Sequence, residues 1–298
     1  MDITKFNKIL VPLDGSELAE RVLLPAVRWA EAVQAGLVLL AVVTPQLRSS
    51  HPDKVENVVQ TRSYEAGLYL KGLHKRLMPT LIEVETAVLS GPAAHTILTY
   101  AQENGVDLIL MTTHGRSGLT RWSLGQVAHK VLRRAPCPVV ILRSAQTLIP
   151  ENIRRILAPL DGSPLAEAVL QQTVAAAVGL RAEMLLLQVV EPGSVWSFGH
   201  EETAVPDPDV QAAQLYLAAV QQKIQALPLK GIQTSCHVTV GPVAESIIDF
   251  ADENEIDLIV LSSVGASGIQ SWMFGSVAER VMQGAHCATM LVRPEPVE

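Results

Sequence analysis

The chain repeats itself at a long interval. The stretch GRSGLTRWSLGQVAHKVL from Gly115 returns as GASGIQSWMFGSVAERVM from Gly265, a shift of 150 residues. ILVPLDGSELAE from Ile9 returns as ILAPLDGSPLAE from Ile156, a shift of 147, and SGPAAHTIL from Ser90 is matched by VGPVAESII from Val240. This period exceeds the roughly 20 to 50 residues of solenoid repeats, so each copy is read as a whole domain. The 298 residues suit two domains of ordinary size, and a hydrophobic content of 48% suffices for two cores. We expect domains at 1–146 and 152–298 with a linker at 147–151, inside the polar stretch SAQTLIPENIRR (Ser144 to Arg155).

Within each copy strands and helices alternate. KILVPL (Lys8 to Leu13) and LVLLAVV (Leu37 to Val43) are continuous apolar runs, the pattern of parallel strands buried on both faces. Between them Ser16 is placed to cap a helix carrying Leu18, Val22, Ala26 and Ala30; in copy two Ser163 is followed by Pro164, a favoured first helical residue. VETAVL, VDLILMT and CPVVILR complete the strands of copy one, and CHVTV, IDLIVLS and CATMLVR those of copy two, which makes five strands per copy. Such alternation predicts an α/β fold with a parallel sheet and right-handed crossovers. After strand two, TPQLRSSHPDKVEN and EPGSVWSFGHEETAVPDPD lack regular apolar spacing and are expected to be mobile flaps or interaction loops.

Charge and cysteine usage narrow the class. The net charge of −7 is dispersed, and the pairs Arg133-Arg134 and Arg154-Arg155 are too short for a nucleic-acid track, so no nucleic-acid partner is expected. No apolar run approaches the roughly 18 residues of a membrane span. MDITKFNKIL leads into a strand without a signal-peptide core, so the expected location is cytoplasmic. Cys137, Cys236 and Cys287 have no metal-ligand spacing and are expected to be reduced, buried thiols.

Two features mark a site. Pro12 and Pro159 cannot donate to a ladder, so strand one must end or bulge there, and Asp14 and Asp161 then project beyond its carboxyl end, where open parallel sheets bind ligands. DGS read alone is equally a turn with an Asx contact. The glycine segment after strand four decides: Gly115 and Gly118 fall in a loop, and Gly125 precedes an amphipathic helix with Val127, Ala128, Val131 and Leu132 on one face. Glycine permits close backbone approach and positive φ, and a helix start presents N–H groups and partial positive charge, which together suit a phosphate.

With these residues both copies resemble the universal stress protein family, over essentially the whole of each copy from the strand-one aspartate to the final CPVVILR-type strand. The resemblance implies strand order 3-2-1-4-5, hence two tandem doubly wound domains, each a five-stranded parallel sheet with helices on both faces. It also implies ATP at the carboxyl edge of the sheet, with Mg or Mn able to bridge its phosphates, in a nucleotide-responsive regulator of the stress response. Matching the family's contacts gives Pro12, Asp14, Val42, Gly115, Gly118, Gly125 and Gln126 in copy one. In copy two it gives Pro159, Asp161, Val189, Gly265, Gly268, Gly275 and Ser276. Backbone of strand two would meet adenine and the aspartates would face the ribose. Six residues separate Gly118 from Gly125 and Gly268 from Gly275, a cradle about one turn shorter than the family's. Ser276 keeps the phosphate-side hydroxyl where Gln126 stands in copy one, which favours copy two, although His114 and Arg116 offer charge that Val264 and Ala266 do not.

Other chemistries fare worse. Neither G-x-x-x-x-G-K-[ST] nor a G-x-G-x-x-G after strand one is present. HGRSG brings His114 and Ser117 together but is not G-x-S-x-G, and Val264 replaces the histidine in copy two. His51, His74, His95 and His200 are scattered and read as surface or satisfied residues rather than metal ligands. No arranged base is visible, so ATP hydrolysis is expected to be slow at most. The alternative is a scaffold or protein-interaction module with degenerate sites and an unidentified protein partner. An apolar last strand would invite aggregation if left as an edge, so the copies are expected to form an intramolecular pseudo-dimer through CPVVILR and CATMLVR, with homodimerisation left open.

Overall fold

Each apolar run of the sequence becomes a strand. A computed structural model of the chain describes residues 5–45, 52–113, 124–143, 152–192, 208–229, 231–263 and 275–294. The chain divides into two units between Asn152 and Ile153. The first unit runs β1 (Lys8–Leu13), α1 (Glu17–Glu20), α2 (Leu23–Val33), β2 (Gly36–Val43), α3 (Pro52–Leu77), β3 (Val84–Ser90), α4 (Ala93–Glu103), β4 (Leu108–Thr112), α5 (Gln126–Arg134) and β5 (Val139–Leu142). The second runs β6 (Arg155–Pro159), α6 (Pro164–Glu167), α7 (Leu170–Leu180), β7 (Glu183–Val190), α8 (Pro208–Gln225), β8 (Thr234–Val240), α9 (Val243–Glu253), β9 (Leu258–Ser262), α10 (Ser276–Gly284) and β10 (Ala288–Val292).

All pairings within a unit are parallel, in the order β3-β2-β1-β4-β5 and β8-β7-β6-β9-β10. This is the expected doubly wound fold. The order reverses direction after β3, so right-handed crossovers put α1, α2 and α3 on one face of the first sheet and α4 and α5 on the other. Central strands are sealed: Ile9, Leu10, Leu37, Leu39, Leu108 and Ile109 are fully buried, and the second unit repeats this with Ile156, Leu157, Leu186, Leu187, Leu258 and Ile259. Edge strand β3 has no fully buried residue, with Glu85 and Thr86 exposed and Ala87 and Val88 part-buried, which suits its polar content.

A carboxylate ties strand one to strand four at the opposite, amino end. Asp107 Oδ2 accepts the Asn7 N–H at 2.7 Å and Oδ1 accepts the Lys8 N–H at 3.2 Å. Asp257 Oδ2 accepts the N–H groups of Arg154 and Arg155 at 2.7 and 3.0 Å. The strands are joined where they begin and part before they end.

Several expectations need correction. The single helix after strand one is two: Ser16 Oγ accepts the Ala19 N–H at 3.1 Å and caps α1, but the turn tightens at Arg21 and Val22, where the Val22 N–H reaches only Ala19 C=O, before α2 starts. Pro25 removes the donor that would bond Arg21 C=O. The same hitch follows Ser163, where Gln172 occupies the proline's place, so the proline is not its sole cause. Of the expected flaps, Pro52 to Asn57 belongs to α3 and Pro208 and Asp209 to α8, while 46–51 and 193–207 lie outside the described residues. Arg155, in the expected linker stretch, opens β6, and 144–151 lie outside the described residues. Val127 is 37% exposed rather than part of the buried stripe of Ala128, Val131 and Leu132, because it sits at the margin of that face. Cys287 is buried, but Cys137 and Cys236 are only partly so; burial, aided by Asp107, pushes the Cys137 thiol up to about 12.

Candidate functional site

The site begins where strand one leaves strand four. The β1–β4 register ends at Leu10↔Ile109 and β6–β9 at Leu157↔Ile259, whereas β1 stays paired with β2 through Leu13↔Ala41 and β6 with β7 through Pro159↔Leu187. Backbone polar groups of successive residues point to alternate neighbours. The Asp107 N–H donates to Lys8 C=O, so Lys8, Leu10 and Pro12 face β4; the Leu160 N–H donates to Leu187 C=O, so Pro159 faces β9. Each proline therefore lacks its donor on the side where the ladder has already stopped. The strand ends on one side only, without a bulge, and the prolines fit a split between adjacent strands.

Strand two continues past this split. Gly36 N–H donates to Asn7 C=O on the β1 side, and Val43 C=O accepts from Gly91 on the β3 side. By alternation the N–H and C=O of Val42 face the β1 side, one residue beyond the last β1 partner. In the second unit Glu183 N–H donates to Arg154 C=O and Val190 C=O accepts from Gly241, so Val189 is turned likewise toward β6, two residues beyond Leu187. The Leu13↔Ala41 pairing places the Val42 N–H on Leu13 C=O, so Val42 turns its C=O over the opening, whereas Val189 turns both its N–H and its C=O.

Asp14 and Asp161 follow strand one directly. Asp14 Oδ1 accepts the Ser16 N–H at 3.0 Å and the Ser16 hydroxyl at 2.6 Å; Asp161 Oδ1 accepts the Ser163 N–H at 2.9 Å. The turn reading of DGS thus holds, with Gly15 and Gly162 at φ 80° and 82°, a region that favours glycine. Both carboxylates remain exposed while held in place by the turn.

The third component is the start of the helix after strand four. Gly125 N–H donates to Thr113 C=O at 2.9 Å and Gly275 N–H to Ser263 C=O at 3.2 Å, pinning α5 and α10 to the carboxyl ends of β4 and β9. Gly125 and Gly275 are the N-caps, without a side-chain cap, and Gln126 and Ser276 are the exposed first helical residues. Their φ values are −59° and −55°, so positive φ is not what these two glycines supply; freedom from a side chain at a helix start is. His114, Gly115, Arg116, Ser117, Gly118, Gly265 and Gly268 lie outside the described residues. A helix leaves its first N–H groups without intrahelical partners, which makes these starts suited to an anion. Half one places His129 in that first turn and half two Glu279.

Among the described residues no group of three or more His, Cys, Asp or Glu could hold a metal ion, and no helix is long and apolar enough to cross a membrane. His95 is exposed and His74 half-buried.

Sequence reasoning missed a further polar set beside the aspartates. Arg76 Nη1 lies 3.1 Å from Glu20 Oε2, and Lys223 Nζ 3.3 Å from Glu167 Oε2. Burial and then the neighbouring glutamate raise the pKa of Tyr69, with Asp14 adding to it; Tyr216 is raised in the same way by burial, Glu167 and Asp161. The signal was available: each of these positions recurs at the 147-residue shift.

Known proteins agree with this architecture. The family model described as the universal stress protein family matches residues 5–143 and 152–293. Over 147 residues the chain is 35% identical to the universal stress protein YxiE of Bacillus subtilis, a match covering 46% of this chain and 99% of that protein. A universal stress protein of Mycolicibacterium smegmatis is 22% identical over 298 residues, covering 96% of this chain and 97% of its own. The crystal structure of a universal stress protein from Archaeoglobus fulgidus shares the fold with a TM-score of 0.75 at 19% identity, covering 97% of this chain and 99% of that one. Matched twice in succession by one family model, and built twice on the same sheet order, the chain belongs to the universal stress protein family.

Proposed function

We propose that the protein binds an adenine nucleotide, ATP, at the carboxyl edge of each sheet and acts in the cytoplasm as a nucleotide-responsive regulator of the stress response. One observation carries the reading: strand one parts from strand four at the same carboxyl edge where the next helix start is tied to the end of strand four. A strand split supplies the crevice and the helix start supplies the anion contact. In this reading the Val42 and Val189 backbone meets the adenine edge, Asp14 and Asp161 accept from ribose hydroxyls, and Gly125-Gln126 and Gly275-Ser276 lie on the phosphate side. Mg or Mn would ride between the phosphates. Any hydrolysis is slow, since no base is arranged at these residues.

The test is calorimetric titration with ATP, ADP and AMP to millimolar concentration. Saturable heat for at least one is expected; none for all three overturns the proposal. The proposal extends to association of the halves through the runs from Cys137 to Arg143 and Cys287 to Arg293. A single half that stays a stable monomer when expressed alone would refute that part.

A second reading, a protein-interaction module, is favoured by Leu68 on α3 and Leu215 on α8. These leucines occupy equivalent positions and are 51% and 73% exposed. It becomes the better reading if titration finds no nucleotide.

A further inference from the structure

Strand one leaves strand two one residue earlier in half two than in half one. The β1–β2 ladder closes with Leu13↔Ala41, so the Val42 N–H is taken by Leu13 C=O. Its counterpart, Leu160↔Gln188, is not formed, and the β6–β7 ladder ends at Pro159↔Leu187. The Leu160 N–H still donates to Leu187 C=O at 2.8 Å, but the return bond from the Val189 N–H to Leu160 C=O is missing. Strand one and its turn read PLDGS in both halves, so the cause does not lie there. The change lies on strand two, where buried Ala41 gives way to Gln188.

Gln188 stands against the turn that Leu160 leads into. Its Nε2 lies 4.0 Å from where a Cβ on Gly162 would stand, and its Oε1 is sealed from solvent with no hydrogen-bond partner among the described residues. The amide therefore fills space between strand two and the turn that the methyl of an alanine does not reach. A buried amide oxygen without a partner costs stability, so the fold alone gives no reason for it. We propose that Gln188 is a positioning residue that holds the Asp161 turn off strand two and keeps the Val189 N–H open, so that half two reads a base through a donor and an acceptor while half one reads it through an acceptor alone. The inference rests on the nucleotide reading. Adenine offers a matching pair on one edge, the N1 lone pair for the N–H and the 6-amino group for the C=O. Half two therefore selects adenine, whereas half one, with Val42 C=O alone, takes any base that turns an N–H toward it.

The test uses the full chain labelled with ¹⁵N-valine, the Val42 and Val189 amides being assigned by single Val→Ile substitutions. Its probes are ATP and 1-deaza-ATP, which lacks the N1 acceptor. Without ligand, the Val189 amide should exchange with solvent about tenfold faster than that of Val42, or more. Saturating ATP should slow it. Titrations followed at the two amides should find 1-deaza-ATP about fivefold weaker than ATP in half two, the worth of one net hydrogen bond, and equal to ATP in half one. Gln188→Ala should slow Val189 exchange toward that of Val42 and abolish the preference for ATP over its analogue, a ratio that a merely structural role would not move. Gln188→Met, similar in length, should retain both. Equal exchange of the two amides in the wild-type protein, an equal loss in both halves with 1-deaza-ATP, or a folded Gln188→Ala variant that keeps the wild-type ratio overturns the inference alone. Because the exchange is compared in the wild-type protein, a variant that fails to fold does not shield it. Absence of ATP binding by the wild-type protein overturns the nucleotide reading and this inference together.

Discussion

The two halves agree in backbone and differ in the side chains set on it. Gly15 and Gly162 share φ near 80°, Gly125 and Gly275 cap their helices at (−59°, 149°) and (−55°, 141°), and the ties to Thr113 and Ser263 measure 2.9 and 3.2 Å. Side chains diverge at many positions, three of which bear on the carboxyl edge. Ala41 in half one corresponds to Gln188 in half two, whose Oε1 is buried without a hydrogen-bond partner; Gln126 corresponds to Ser276, and His129 to Glu279. Duplication has kept what backbone geometry demands and released what side chains contribute. Functional inequality between the halves is therefore to be sought in such side-chain pairs and in the residues of the glycine loops.

The largest expected effect tests the shared scaffold. Gly91 and Gly241 follow β3 and β8 at φ 150° and 158°, and a Cβ built on them would stand 2.7 Å from Thr96 Oγ1 and 2.6 Å from Ser246 Oγ. Both backbone strain and contact oppose a side chain there, so Gly91→Ala and Gly241→Ala should each destabilise the protein by roughly 2 to 4 kcal/mol. Urea denaturation should find the two costs alike. A cost confined to one half would mean that the scaffolds are not equivalent.

Next is the helix start. Ser276 is short, exposed and first in α10, so its hydroxyl can donate to a phosphate beside the backbone N–H groups; Gln126 must order a longer side chain to do the same. A hydrogen bond to a charged group contributes about 1.5 to 3 kcal/mol, so Ser276→Ala should weaken ATP in half two about tenfold or more. Gln126→Ala should change half one by less than about threefold. The reverse ranking, measured by ATP titration, would make half one the principal site.

The contrast between scaffold and side chains also marks how much was legible beforehand. The strands, their parallel direction and the aspartate beyond strand one follow from apolar runs and the repeat, because burial on two faces leaves few other arrangements for such segments, whereas the strand order came from the family resemblance. The prolines were legible as strand ends but not as one-sided ends: that depends on which neighbour each N–H faces, a property of sheet register rather than composition. The hitch between α1 and α2 could not be read, since half two has it with Gln172 in the place of Pro25. Glycines 125 and 275 hold the helix starts expected of them, but of the two reasons for a glycine there, close approach and positive φ, the second does not apply. The Tyr69 and Tyr216 set escaped notice because its members are distant in sequence and individually ordinary; only the fold brings α3 against α1.

The smallest effect concerns charge. Glu279 lies in the first turn of α10, where a carboxylate suits the helix itself but repels an anion arriving at the same N-terminus; His129 holds that place in α5. An exposed charge near a helix end is worth about 0.3 to 1 kcal/mol and is screened by salt. Glu279→Gln should therefore strengthen ATP in half two by about two- to fivefold at low ionic strength, and His129→Glu should weaken half one by a similar factor. Both changes should shrink as salt is raised toward 1 M, where the screening length falls to about 3 Å. The hydroxyl of Ser276 outweighs the charge of Glu279 on these magnitudes, which keeps half two ahead despite its unfavourable carboxylate. An increase of more than about tenfold on Glu279→Gln would invert that balance and show that charge, not the hydroxyl, governs the difference between the halves.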